Sequence, residues 1–433
     1  MSQRAESGLV RSIGKWDLVA VTVNSVIGAG IFGLPSKIYN LVGNYSLAAF
    51  LLCALFTATI VLCFAEVGSR FTGTGGPYLY AREAFGPATG FTIGWLMWIA
   101  RITAFAANTS IMLGYLSLFW PAVATGGVRY AVICAITLAL TTVNLVGVRD
   151  VAVTTNILTV GKLAPLALLI VAGFFHLDAK SFAFGPTPAP GAFSSAMLLL
   201  VYTYTGFEIA VVPAAEIRDP RRNLPSAILT AIGIVALFYI LIQVVCIGTL
   251  PGLSASDRPL ADAAGRFLGS SGAAIISAGA VLSIAGNLNV VLLSASRLPF
   301  AMAGRGELPR FLAAINERFR TPHAAIILTS TLMGALALSG TFLYAVTIST
   351  LARLVIYGTT CSALPVLRRR SDAPPAAFRA PGGCPLSLAA LALAAWLLFN
   401  STWREVRDTG IAAGIGLAAY NLSRKSASSS AKC

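Results

Sequence analysis

Charge is scarce in this chain. Only 11% of its 433 residues are Asp, Glu, Lys or Arg, and acids are the rarer sign, 16 against 31 bases. Histidine is rarer still: the two present, His176 and His323, fall near the ends of apolar stretches, as interfacial polar residues do. None of the seven cysteines has metal-ligand spacing. No H-E-x-x-H, Cys/His cluster or Ser-Lys pair in a suitable context occurs, so the chain lacks a catalytic constellation and is not expected to be an enzyme. The polar segment before Lys15 lacks a cleavable signal pattern, which leaves the first apolar helix as the targeting signal.

What is abundant is apolar. A 57% hydrophobic content and a mean hydropathy of +0.80 place the chain among polytopic all-α membrane proteins. Uncharged stretches such as 38–65, 102–128, 130–148, 223–256 and 267–296 are each long enough to cross about 30 Å of hydrocarbon. Counting the gaps between charges gives twelve transmembrane helices. The last is short between Asp408 and Arg424, whose charges must snorkel. With twelve spans both termini share a side. That side collects 21 Lys/Arg against 7 on the other, so both are expected in the cytoplasm of a plasma-membrane protein. The +15 net charge follows from this asymmetry. Basic residues scattered through short loops, without a nucleic-acid-binding motif, do not make a nucleic-acid footprint.

Gly28-Ala29-Gly30-Ile31-Phe32-Gly33 is a literal G-x-G-x-x-G, yet it lies in an uncharged run, 18–36, with neither the strand nor the acidic residue of a dinucleotide site. Its glycines, with Pro35, mark a break in helix 1 near 28–30. Irregular backbone at that depth is tolerated only where it lines an enclosed cavity. Helix 6 carries a second glycine break, near 203–207, in Tyr202-Thr203-Tyr204-Thr205-Gly206-Phe207-Glu208, and is also followed by four ordinary spans. Two five-helix units result, 16–176 and 190–368. Because five is odd, they run in opposite senses, an inverted repeat. Helices 11 and 12 (386–422) and cytoplasmic ends 1–15 and 423–433 complete the expected organisation.

At these residues the chain resembles the amino acid-polyamine-organocation superfamily of permeases. The resemblance rests on Ser25 through Phe32; on Cys63-Phe64-Ala65-Glu66 with Gly75-Gly76-Pro77-Tyr78; on Gly206-Phe207-Glu208; and on the run from Glu216 to Pro225. It covers helices 1 to 10 and implies the LeuT-type fold and carriage of amino acids or related amines. It places Ile27, Gly28, Ala29, Gly30 and Ile31 around a substrate carboxylate, at the positive N-terminal end of a half-helix. Tyr202, Thr203, Thr205, Gly206 and Phe207 fall around the ammonium group, with Tyr202 where several relatives have an aromatic gate. Lys162 resembles a helix 5 lysine that stands at the cation position in sodium-independent relatives, which makes it the expected proton carrier. A lysine snorkelling to the interface is the plainer alternative.

Charges deep in spans cost on the order of 2.5–3.5 kcal/mol on insertion scales, so each requires a partner. Glu208 is expected to pair with Arg101 or Arg353. Glu66 and Glu216 near helix ends, with Asp17, form either an inner gate or plain interfacial salt bridges. Three deep bases against one deep acid favour a neutral substrate side chain, with Ala104, Asn287 and Ser349 as pocket candidates. The reading is an amino acid permease without a cofactor, a proton as coupling ion, and the substrate and lipid bilayer as partners. Exchange, or carriage of cationic amino acids or polyamines, is the alternative, with an amino acid sensor behind them. The sequence is silent on oligomeric state.

Overall fold

The computed structural model describes residues 14–71, 76–146, 151–209, 217–340 and 342–430. Among these, regular structure is helical: α1 (Lys15–Val26), α2 (Ala29–Val42), α3 (Ser46–Gly68), α4 (Pro77–Phe85), α5 (Pro87–Leu116), α6 (Gly126–Val146) and α7 (Val151–Phe174), followed by α8 (Pro190–Thr203), α9 (Pro220–Thr249), α10 (Pro259–Gly304), α11 (His323–Leu338), α12 (Phe342–Arg369), α13 (Gly383–Phe399) and α14 (Trp403–Ser430). Among the described residues six helical stretches are long and apolar enough to span a bilayer, or seven if α13 and α14, bent by 113° at their junction, count as one. This is a membrane protein. The count falls short of twelve partly because α1 and α8 have only 12 and 14 residues, and partly because α2 runs on into α3 as a single stretch, Ala29–Gly68.

The helices pack in two groups. α9 lies against α1 and α3, and α8 touches α2 and α3; in the other group α5 is flanked by α10, α11 and α12. The breaks lie where the groups meet. α1 ends at Val26 and α2 begins at Ala29, with Gly28 extended at φ −116°, ψ −150°. Pro35 does not break the chain but sits inside α2, since a helix loses only one backbone bond there and neighbouring helices tolerate it. α8 stops at Thr203, Gly206 turns the chain at φ +114°, and a 3₁₀ turn follows at Phe207–Ile209.

At one end of the bundle Glu66 ties three segments together. Its fully buried carboxylate accepts from Arg368 Nε (2.7 Å) and Nη2 (2.6 Å), from the Ala380 backbone N–H (2.8 Å) and from Arg70 Nη2 (3.4 Å). Removing one member of a buried ion pair costs about 3–5 kcal/mol because the other charge is stranded. Glu66→Gln is therefore expected to lower the melting temperature in detergent by roughly 5–10 °C. Scanning fluorimetry checks this; an unchanged midpoint would show that the cluster adds no stability.

Candidate functional site

The two breaks face one cavity. Ser25, Val26, Gly28, Ala29 and Gly30 line it from the first break, Tyr202, Thr203, Thr205, Gly206 and Glu208 from the second, Arg101, Ala104 and Asn108 from α5, Asn287, Val291 and Ser294 from α10, and Arg353 from α12. Its volume is about 60 Å³, room for a small solute.

Close approach of backbone explains the glycines. A Cβ on Gly30 would lie 2.9 Å from Thr203 Cα, and one on Gly206 would lie 2.4 Å from the Ser25 carbonyl oxygen. The first glycine lets α2 press against the end of α8; the second lets the turn after α8 press against the end of α1. One tyrosine joins the exposed ends. Tyr239 of α9, fully buried, stands 3.0 Å from the Val26 carbonyl and 3.1 Å from that of Thr203. A hydroxyl has one proton for the two carbonyls, and the Val26 carbonyl accepts in addition from the Gly28 N–H at 2.7 Å. At the same place the first four N–H groups of α2 lack intrahelical partners.

Lys162 reaches the first break from behind. Its ammonium donates to the carbonyls of Asn24 (2.5 Å) and Ile27 (3.1 Å), and it is 5% exposed. It caps the C-terminal end of α1 and does not snorkel. Tyr202 is buried and donates to Asn108 Oδ1 at 2.5 Å, while Asn108 Nδ2 donates to Asn287 Oδ1 at 2.8 Å.

Of the two arginines open to Glu208, the geometry selects Arg353. Glu208 Oε1 lies 3.6 Å from Arg353 Nε, and Oε2 accepts from the Gly206 N–H (2.8 Å) and the Tyr357 hydroxyl (3.2 Å). Arg353 also bonds the Ser349 hydroxyl, and its guanidinium lies 5.8 Å from the Tyr202 ring centre. Arg101 lines the cavity and makes no ion pair among the described residues.

Several expected site residues are elsewhere. Ile27 and Ile31 are fully buried in the core, on faces of the break turned away from the cavity. Phe207 packs edge-on against Phe64 at 5.4 Å and tilted against Tyr357 at 5.3 Å, because the turn at Gly206 carries its ring into the core. Ser349 bonds the Ala100 carbonyl at 2.8 Å instead of facing the pocket. Asp17 accepts from the Gly14 N–H at 2.9 Å at the start of α1, and Glu66 serves the cluster described above. Glu216 lies outside the described residues. Asn108, Tyr239 and Tyr357 were not anticipated; polar side chains recurring on one face of an apolar helix, Arg101 and Asn108 two turns apart and Ser349, Arg353 and Tyr357 four residues apart, carry the signal for two of them.

The sequence profile of the amino acid permease family matches residues 13–415. The chain belongs to that family. The permease is 28% identical over 435 residues to the serine/threonine exchanger SteT of Bacillus subtilis, covering 98% of this chain and 99% of that one. It is 26% identical over 423 residues to the methylthioribose transporter of the same bacterium, covering 92% and 90%. It is 30% identical over 384 residues to the mouse Asc-type amino acid transporter 1, covering 84% and 72%. Its relatives are transporters, not enzymes.

Proposed function

We propose that this permease is a secondary transporter that moves an α-amino acid across the plasma membrane by alternating access, with a proton carried at Lys162. The observation that carries the reading is the meeting of two broken helices at one cavity. A zwitterion finds both its charges matched there. Its carboxylate is met by the N–H groups and positive dipole end of α2, while its ammonium adds donors for the free lone pairs of the Val26 and Thr203 carbonyls, which share one Tyr239 proton. Gly28, Ala29, Gly30, Tyr202, Thr203, Thr205 and Gly206 form this main-chain subsite. A sugar thioether, the cargo named for one relative, has neither charge to present.

The full arrangement belongs to the same proposal: twelve spans, two inverted five-helix units, both termini in the cytoplasm, and rocking of the group built on α1 with α2, α3, α8 and α9 against the rest. The packing of α9 on α1 and α3 supports that moving body. Lys162, whose ammonium fills the carbonyl end of α1, stands in for a coupling metal cation and supports transport without sodium. Exchange is the second reading, favoured by the exchanger named among the relatives, since symport and exchange differ only in whether the empty carrier reorients.

Uptake of labelled amino acids into proteoliposomes, without sodium or internal substrate and with an imposed inward proton gradient, separates them. Accumulation that collapses with the gradient is expected. Uptake only after preloading with amino acid would replace symport by exchange.

A further inference from the structure

We infer that the side-chain end of this cavity recognises a short anionic side chain, through Arg101. The inference rests on the reading that the cavity is the substrate site. Among its described lining residues the charged groups are Arg101, Arg353 and Glu208, two cations and one anion. Glu208 and Arg353 answer each other, and their remaining polar atoms face Gly206, Tyr357 and Ser349. Lys162 is engaged by the carbonyls of α1. Arg101 has no ion-pair contact within 4 Å among the described residues and feels the Glu208 charge only from farther off.

The expectation of a neutral side chain came from counting bases and acids without their partners. With the partners assigned, the wall carries one more guanidinium than carboxylate at the depth of the helix breaks, where an unneutralised charge is costly. The substrate's own zwitterion does not change the balance, because its two charges are taken up by α2 and by the carbonyls of Val26 and Thr203. A serine- or alanine-like side chain leaves the excess in place. A second carboxylate removes it, and the planar fork of an arginine is matched to a carboxylate by two parallel hydrogen bonds. Arg101 also borders, with the Glu208–Arg353 pair, an adjoining recess whose other walls are Pro77, Met97, Ala100, Ile356 and Tyr357. That recess is only about 10 Å³, so the side chain stays short, as in aspartate.

The test is competition in proteoliposomes holding the full chain. Labelled aspartate and labelled serine are each offered alone, with and without internal amino acid, and then against unlabelled aspartate, glutamate, serine, alanine and lysine. Aspartate is expected to compete at concentrations at least about tenfold below those of serine or alanine, since a site built around a charged donor rejects analogues lacking its partner. In Arg101→Gln this preference is expected to vanish. Serine uptake that a large excess of aspartate does not inhibit would overturn the inference and leave amino acid transport standing. Failure of every amino acid to enter or compete would overturn both. The wild-type series decides even if Arg101→Gln does not fold.

Discussion

Gly206→Ala is expected to reduce amino acid uptake about 100-fold or more. Two effects act together. At φ +114° an L side chain is strained by about 1–3 kcal/mol. The new methyl would also sit 2.4 Å from the Ser25 carbonyl oxygen and 2.8 Å from its carbon, and neither is a flexible side chain that can swing away. The turn after α8 must move off the end of α1. That shift separates the carbonyls that Tyr239 bridges and displaces Glu208, whose carboxylate accepts from the Gly206 N–H. Each loss of 1.4 kcal/mol is tenfold, so a few kcal/mol spread over these contacts accounts for the size of the effect. Gly233→Ala in α9, where an added Cβ meets nothing within 4 Å, is the matched control. A helical alanine there should be neutral or stabilise by about 0.5–1 kcal/mol. Uptake rates and melting points for both variants check the pair. Near-normal transport by Gly206→Ala would mean that close contact of the two breaks is dispensable.

The breaks were legible from sequence because glycine combines there with other signals, two close glycines at 28 and 30 in an uncharged run and Gly206 beside the acid Glu208, and the helices end at both places. What the glycines do was read less well. Gly30, which the resemblance sets beside a substrate carboxylate, lines the cavity, and its missing side chain is also where Thr203 packs. Pro35 misled because proline removes one helical hydrogen bond, which is not enough to stop α2. The choice between Arg101 and Arg353 for Glu208 was closed to the sequence, since both lie deep in apolar helices and the contact spans more than a hundred residues. The structure selects Arg353 because Arg353 and Tyr357 share one face of α12 and meet the two carboxylate oxygens together. Tyr239 was missed for a related reason. A tyrosine in an apolar helix reads as core until the two carbonyls it bridges, from α1 and α8, are brought within reach.

Lys162→Ala is expected to lower uptake about 30- to 100-fold and to leave what remains insensitive to pH. The ammonium holds two carbonyls at the end of α1, and a hydrogen bond to a charged group contributes about 1.5–3 kcal/mol, with unsatisfied acceptors adding to the loss. Without it the end of α1 loses its positive partner and Ile27 its fixed position beside Gly28. Size alone would not distinguish a structural cap from a proton carrier. Lys162→Arg does: a guanidinium keeps the charge and the donors but does not release a proton in a protein. If Lys162 carries the proton, the arginine variant should retain exchange between preloaded and external amino acid while losing accumulation driven by an inward proton gradient. Measuring both modes in the same proteoliposomes gives the separation. Gradient-driven accumulation in Lys162→Arg at the wild-type level would refute proton carriage and leave the lysine as a fixed cation closing the first break.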